Sequence, residues 1–562
     1  GFPGNGEALE DPSRAPLPPD HESTLPNPNR GCDHGSMRKY ILAALLLLFA
    51  LSILLALRED GPLWALGASG FLLGVALIDV TQKGHAVLRN FPLIGHGRYL
   101  MEAIRPEINQ YFIESNTDGR PFNRELRSLV YQRAKGVLDT LPFGTQRDPY
   151  GEGHEWIHHS LEPVHPEDRS PRVRIGEGRC ALPYEASILN ISAMSFGALS
   201  KNAILALNGG ARDGGFAHNT GEGGLSPYHL EPGGDLIWQI GTGYFGCRTE
   251  NGDFDPERFA KQARLPQVRM IEIKLSQGAK PGHGGILPAA KITEEIARIR
   301  GIPLGRDCVS PPFHRAFEGP AGLLEFAARL RDLSGGKPVG AKLCVGDPLE
   351  ILALCKAMLV TGLRLDYLAI DGTEGGTGAA PLEFANSVGM PLLDGLAFVQ
   401  AALVGANLRH DLKLIAAGKI ITGFQMARVL ALGADLCYMA RGMMFALGCI
   451  QALRCNSNHC PVGIATQDPA LARGLDVPDK RARVAKFHKA TVESFVELLG
   501  AAGVPEPGGL RPTMIWRRTG PSEVRNYSQI YPQPLPGDLI RNGAPPPPFD
   551  SLWPQAPVRR WR

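Results

Sequence analysis

Three kinds of residue in this sequence could do chemistry: cations set inside apolar runs, glycine-rich turns and a cysteine cluster. The run Val268 to Ser276 carries Glu272, Lys274 and Ser276 at every second position. An extended chain turns these three to one side and Ile273 and Leu275 to the other. A carboxylate and an ammonium buried together need each other or a ligand. Gln277, Gly278, Lys280, Gly282, Gly284 and Gly285 follow, and glycines let a ligand approach the backbone closely. A structural salt bridge is the plainer reading of the pair; the glycines and Lys280 favour anion binding. Lys342, between Ala341 and Leu343, is costly to bury unless a negative group meets it. A reduced flavin, with charge developing at its pyrimidine edge, is one such group. The turns holding Gly376 and Thr377, Gly418 and Lys419, and Arg441 and Gly442 expose backbone amides and a guanidinium that suit a phosphate. Glycines also simply make tight turns.

Cys449 and Cys455 enclose five residues, Cys455 and Cys460 four, and Pro461 follows, as proline does in some iron-sulfur runs. Zinc normally wants a fourth ligand and one two-residue gap. Three soft thiolates suit an iron-sulfur centre better, with three unlinked buried cysteines as the alternative.

The elements that would position these groups are short apolar runs alternating with helical stretches: Ser187 to Ala193, Phe216 to Asn219, Asp235 to Ile240, Val268 to Ser276, Pro338 to Leu343, Leu365 to Ile370, Leu412 to Ala417 and Leu436 to Ala440. Eight strands alternating with helices imply a parallel sheet. A closed (β/α)8 barrel of the α/β class accounts for them better than a doubly wound sheet, which wants a glycine-rich dinucleotide turn after its first strand. A barrel gathers its active groups at the carboxyl ends of its strands, where these residues stand. Arg481 to Leu499 has helical apolar spacing. The last 58 residues, from Pro505, hold 13 prolines and are expected to be irregular, extended or loose.

The 562 residues are 44% hydrophobic, enough for a sizeable core despite 67 glycines and 47 prolines, which excludes wholesale disorder. A net charge of +3 gives no reason to expect nucleic acid as a partner, and ten cysteines are too sparse for a disulfide framework. Residues 1–36, with seven prolines and six acids, read as disordered or non-native, with a natural start at Met37. Tyr40 to Leu57 and Gly61 to Ile78 lack charge, and each is about 27 Å long as a helix, which just crosses a hydrocarbon core. They read as a transmembrane helical hairpin, against a cleaved export signal or a buried apolar hairpin. Arg38 and Lys39 before it and Lys83, Arg89 and Arg98 after it put both ends, and the catalytic part, on the cytoplasmic side of the inner membrane. The domain plan is therefore 1–36, a hairpin over 37–80, a helical and irregular linker over 81–180, the barrel over 181–500 with its cysteine segment at 449–468, and a proline-rich tail over 501–562.

Four stretches, Ile191 to Ser200, Asn219 to Gly224, Gln277 to Gly282 and Gly375 to Gly378, together with Cys449 through Cys455 to Cys460-Pro461-Val462-Gly463-Ile464-Ala465-Thr466-Gln467-Asp468, resemble the synthase domain of glutamate synthase over roughly residues 150 to 500. The resemblance implies an FMN on the barrel beside a 3Fe-4S cluster held by Cys449, Cys455 and Cys460. Electrons would pass from the cluster to FMN and as hydride to a 2-imino acid formed from 2-oxoglutarate and ammonia, giving L-glutamate. By motif position, Met194, Ser195, Asn219, Lys342, Gly376, Thr377, Gly418, Arg441 and Gly442 would hold the flavin. Lys274, Gln277, Lys280 and Arg300 would hold the oxo acid, Lys274 and Lys280 with a catalytic share, and Glu222 would stand at the ammonia entry as a proton acceptor.

The departures from the family pattern also matter. No cysteine near Met37 could serve as a glutaminase nucleophile, Cys32 preceding it, and only 94 residues follow Asp468, too few for the family's carboxyl-terminal β-helix. His283 stands where long members carry a Glu, and no dinucleotide fingerprint offers NADPH a site. Ammonia would come free or from a separate amidotransferase. Electrons would come from a separate donor: ferredoxin, a reductase subunit or a membrane donor. Two other functions stay open: flavin and iron-sulfur chemistry on a different substrate, and a membrane-linked electron-transfer subunit. Retention of Lys274, Lys280 and Glu222 disfavours a pure relay.

Overall fold

The computed structural model describes residues 34–58, 61–541 and 545–561. The proline-rich segment 1–36 lies outside them apart from its last three residues, with which the first helix opens. The chain divides into two compact units at Ile113 and Glu114.

In the first unit, α1 (His34–Ala56) and α2 (Leu63–Thr81) pack on each other as a hairpin. Leu45, Leu73 and Ala76 form its small core, and Ser52 and Ser69 share a 2.6 Å hydrogen bond across it. Both helices are long and apolar enough to cross a membrane, with mean hydropathies of 2.4 and 1.9, and residues such as Leu47, Leu54 and Phe71 are exposed. Two short helices follow, α3 (Ala86–Asn90) and α4 (Ile94–Ile108).

The second unit is built on a closed barrel of eight parallel strands, labelled here β1 (Leu189–Ile191), β2 (His218–Asn219), β3 (Leu236–Ile240), β4 (Val268–Lys274), β5 (Val339–Leu343), β6 (Tyr367–Asp371), β7 (Lys413–Ala417) and β8 (Leu436–Met439). Each strand falls within one of the eight apolar runs or reaches one residue past it. β8 pairs back onto β1 through Met439 and Ile191, which leaves no open edge. The strands read as continuous apolar runs because helices cover their outer faces. The register sets Lys274 of β4 beside Lys342 of β5, so two lysines stand at one level of the mouth.

The long helix Val477–Ala501 packs along the helix Lys201–Gly214, where a Cβ at Gly210 would collide with Val484. Its His488 stacks on Phe216 at 3.8 Å and meets the carbonyl of Leu189 at 2.9 Å. The tail is more ordered than its prolines suggest. Ile515–Arg518 pairs antiparallel with Glu155–Ile157 and with Val524–Asn526, and a buried carboxylate fixes the sheet to the barrel. Glu155 receives Arg428 at 2.5 Å, Arg517 Nε at 2.7 Å and the Tyr527 hydroxyl at 2.6 Å. Burial pushes this carboxyl up, and the two guanidinium groups with Tyr527 outweigh it, leaving it below the ordinary value.

Candidate active site

The alternation along β4 does what it predicted: Glu272 and Lys274 are both buried and both face the barrel interior. They do not pair with each other. Glu272 accepts from Asn219 Nδ2 at 2.8 Å and Gln239 Nε2 at 2.7 Å, and burial pushes its carboxyl up. Lys274, one repeat nearer the mouth, donates at 2.6 Å to Glu222 from the loop after β2. Glu222 is pressed upward by burial, but Lys274, Arg300 and Lys280 outweigh this and hold it below the ordinary carboxylate range. Burial, with Lys274 adding repulsion, brings Lys280 down to about 8. Its Nζ donates to the carbonyl of Ala379 at 2.8 Å. Arg300 closes the helix Glu294–Arg300, donates to the Phe196 carbonyl at 3.3 Å, and its Nε finds no partner among the described residues. Three cations act on one carboxylate, and the surplus of two positive charges is what a dicarboxylate would balance. A Cβ at Gly285 would overlap the Glu222 carboxylate, so glycine there makes room for that group.

Beside this cluster, at the carboxyl ends of the strands, opens a narrow cleft. Lys274, Gln277, Lys342, Gly376, Gly418, Arg441 and Gly442 line it. Met194, Ser195, Asn219 and Thr377 do not. Met194 and Ser195 follow directly on Ser192 and Ala193, which do line it. Asn219 spends its amide on Glu272 and on the Gly221 N–H, and the exposed Thr377 hydroxyl donates to Ala379. Lys342 meets Asp371 at 3.3 Å, so the isolated lysine of the fifth run has a carboxylate partner. Asp371 also accepts from the Gly278 N–H at 2.9 Å.

The phosphate-type end has a cationic surplus. Burial draws Arg441 down to about 10. Its guanidinium donates to the Glu374 carbonyl and lies 4.7 Å over the Phe122 ring. Lys419, at a left-handed φ of 47°, lies 5.9 Å from the same ring. Neither cation is in an ion pair among the described residues. Gly418, at φ 139°, takes a conformation few other residues tolerate. A surplus of cations, left-handed backbone and apolar Phe122 fit a flat ring system carrying a phosphate, and so fit FMN. Sequence reasoning missed Phe122, which comes from outside the barrel, and gave no role to Glu374. Aromatic type alone offered no signal; only the fold brings Phe122 to the mouth.

The cysteine loop is clamped to the same region. Gln451 spans from it to Phe122, accepting from that N–H and donating to that carbonyl, both at 3.2 Å. Gln467 donates to Gly197 and Leu199 at 3.1 and 2.8 Å. Gln451, Leu453 and Asn458 all have left-handed backbone, which curls the loop. Among the described residues no group of three or more His, Cys, Asp and Glu is arranged to hold a metal ion. Burial pushes the Cys449 thiol up to about 12, and Cys455 and Cys460 add to the rise. Lys291, buried and absent from the sequence reading, donates to the Ala198 carbonyl at 3.0 Å.

A closed parallel barrel with a cationic mouth defines the chain as a (β/α)8-barrel protein. The family model described as the conserved region in glutamate synthase matches residues 164–505. The glutamate synthase large subunit-like protein YerD of Bacillus subtilis is 38% identical over 470 residues, covering 76% of this chain and 89% of that protein. The archaeal glutamate synthase [NADPH] of Methanocaldococcus jannaschii is 38% identical over 323 residues, 57% of this chain and 60% of that protein. Among solved structures, a mandelate oxidase with benzaldehyde overlaps at a TM-score of 0.40 and 15% identity, covering 71% of this chain and 98% of that one. The chain belongs to the glutamate synthase family, and it is a glutamate synthase-like oxidoreductase.

Proposed function

We propose that this chain reductively aminates 2-oxoglutarate or a related 2-oxo acid, with ammonia free in solution or delivered by a separate amidotransferase. The observation that carries this is the charge balance at Glu222: Lys274, Lys280 and Arg300 around one carboxylate, with Lys274 and Gln277 also in the cavity wall. Lys280 and Arg300 would take the two carboxylates of the substrate through charge-assisted hydrogen bonds. Glu222, ionised at neutral pH, would accept a proton from ammonium and hold the nitrogen for attack on the oxo carbon, and Lys274 would keep it ionised. FMN, when bound, supplies the two-electron redox chemistry. Arg441, Lys419 and the Gly376 and Gly418 turns would hold its phosphate, and Lys342 would sit by its ring. Met194, Ser195, Asn219, Thr377 and Gly442 would complete the cradle through backbone or neighbouring contacts.

Cys449, Cys455 and Cys460 would carry a 3Fe-4S cluster, a reading supported by their spacing, by the soft-thiolate chemistry of the set and by the Gln451 link from their loop to Phe122. Electrons would come from a separate donor. The hairpin α1–α2 would anchor the chain in the cytoplasmic membrane with both ends on the cytoplasmic side, supported by apolar length and flanking cations. Titration calorimetry of the FMN-loaded chain tests the substrate assignment. Saturable binding of 2-oxoglutarate that is weakened roughly 10- to 100-fold in Lys280→Gln is expected; a chain that binds FMN and ignores every 2-oxo dicarboxylate would overturn it.

A further inference from the structure

We propose that α4 (Ile94–Ile108) is an interfacial helix lying in the lipid headgroup layer with its apolar stripe in the acyl boundary. This rests on the reading of α1 and α2 as membrane-spanning. At 100° per residue, Ile94, Leu100, Met101, Ile104 and Ile108 fall within an arc of about 120°. They are 36% to 66% exposed. Tyr111, Phe112 and Ile113 continue the exposed apolar surface just beyond, at 52%, 84% and 71%. The rest of the helix carries Arg98, Glu102, Arg105 and Glu107, all exposed. A contiguous apolar stripe on a charged helix marks a surface made to be covered.

The position of α4 names the cover. Asp79, in the last turn of α2 and 3% exposed, accepts from the Leu93 N–H at 3.0 Å and meets His96 Nε2 at 2.9 Å. The first turn of α4 is thereby tied to the boundary end of the second span. A Cβ at Gly95 would strike Leu88 and the Val87 carbonyl, so α4 also sits directly on α3, which packs against both spans. The helix is held at the depth where hydrocarbon gives way to headgroups. Arg105 flanks one border of the stripe, where a long stem can lie on apolar surface while the charged head reaches phosphate; Arg98, on the same border, pairs with Glu102 at 2.9 Å. Lys83 and Arg89 add cations for an anionic leaflet. A bilayer satisfies the stripe and the cations together.

The test is lipid photo-crosslinking of the full chain in its native membrane, with benzoylphenylalanine placed at Ile104 or Ile108, at Glu102 on the opposite face, and at Leu47 in α1. Lipid adducts at Ile104 and Ile108 are expected to exceed those at Glu102 roughly tenfold, as for a helix lying in the interface plane, with strong adducts at Leu47. Adducts at Leu47 without any at Ile104 and Ile108, or with a protein adduct there instead, would overturn the interfacial helix and leave the hairpin standing. No lipid adduct at Leu47 would overturn the membrane reading and the proposal with it.

Discussion

Lys280 holds its charge where burial resists charge. Its pKa of about 8 lies close enough to neutrality that the cation needed for a substrate carboxylate is lost as pH rises through that value. Affinity for the oxo acid is expected to fall between pH 7 and 9.5, and Lys280→Gln is expected to bind roughly 10- to 100-fold more weakly at pH 7, the worth of a charge-assisted hydrogen bond. Calorimetry across that pH range checks both, since the variant should lack the alkaline decline. At this scale the sequence was partly legible. Alternation along β4 exposed Lys274 as an inward cation, but its partner Glu222 is 52 residues away in the chain. Asp371 meets Lys342 only because β5 and β6 are neighbours in a closed barrel. Pairings across strands depend on register, which a linear pattern does not carry.

The elements hold the mouth together through contacts that leave no room for side chains. Gly278, in the loop after β4, lies so close to the loop after β6 that a Cβ would fall on the Gly372 carbonyl. Gly278→Ala is expected to part the two loops, lowering stability by about 1–3 kcal/mol and weakening oxo-acid binding at Gln277 and Lys280. Thermal melting with calorimetry reads both effects. His488 ties the long helix to β1. Burial holds its pKa at about 4 against an ordinary 6.5. A buried imidazole with a depressed pKa lends stability that is full above about 6.5 and is lost as pH falls toward 4, on the order of 3 kcal/mol. His488→Gln keeps a donor for the Leu189 carbonyl but cannot titrate, so its melting temperature should fall less steeply between pH 7 and 5 than that of the parent. The eight strands were legible because each is a short apolar run closed by glycine or polar residues. The sheet made by Glu155–Ile157 with the tail was not, since its strands are brief and proline-flanked and lie more than 350 residues apart.

At the scale of the molecule, the chain joins an apolar hairpin unit to a barrel whose mouth gathers cations from several loops. The family motifs spanned the barrel and were legible from sequence. The interfacial stripe of α4 was not, because its meaning depends on Asp79 fixing where the helix starts. The measurement that bears most directly on the whole account is a single turnover without oxygen: the FMN-loaded chain, chemically reduced, mixed with 2-oxoglutarate and ammonium. Formation of L-glutamate in proportion to flavin oxidised, requiring both additions, is the predicted result. Flavin that stays reduced with both present, or that reoxidises without glutamate, would contradict it.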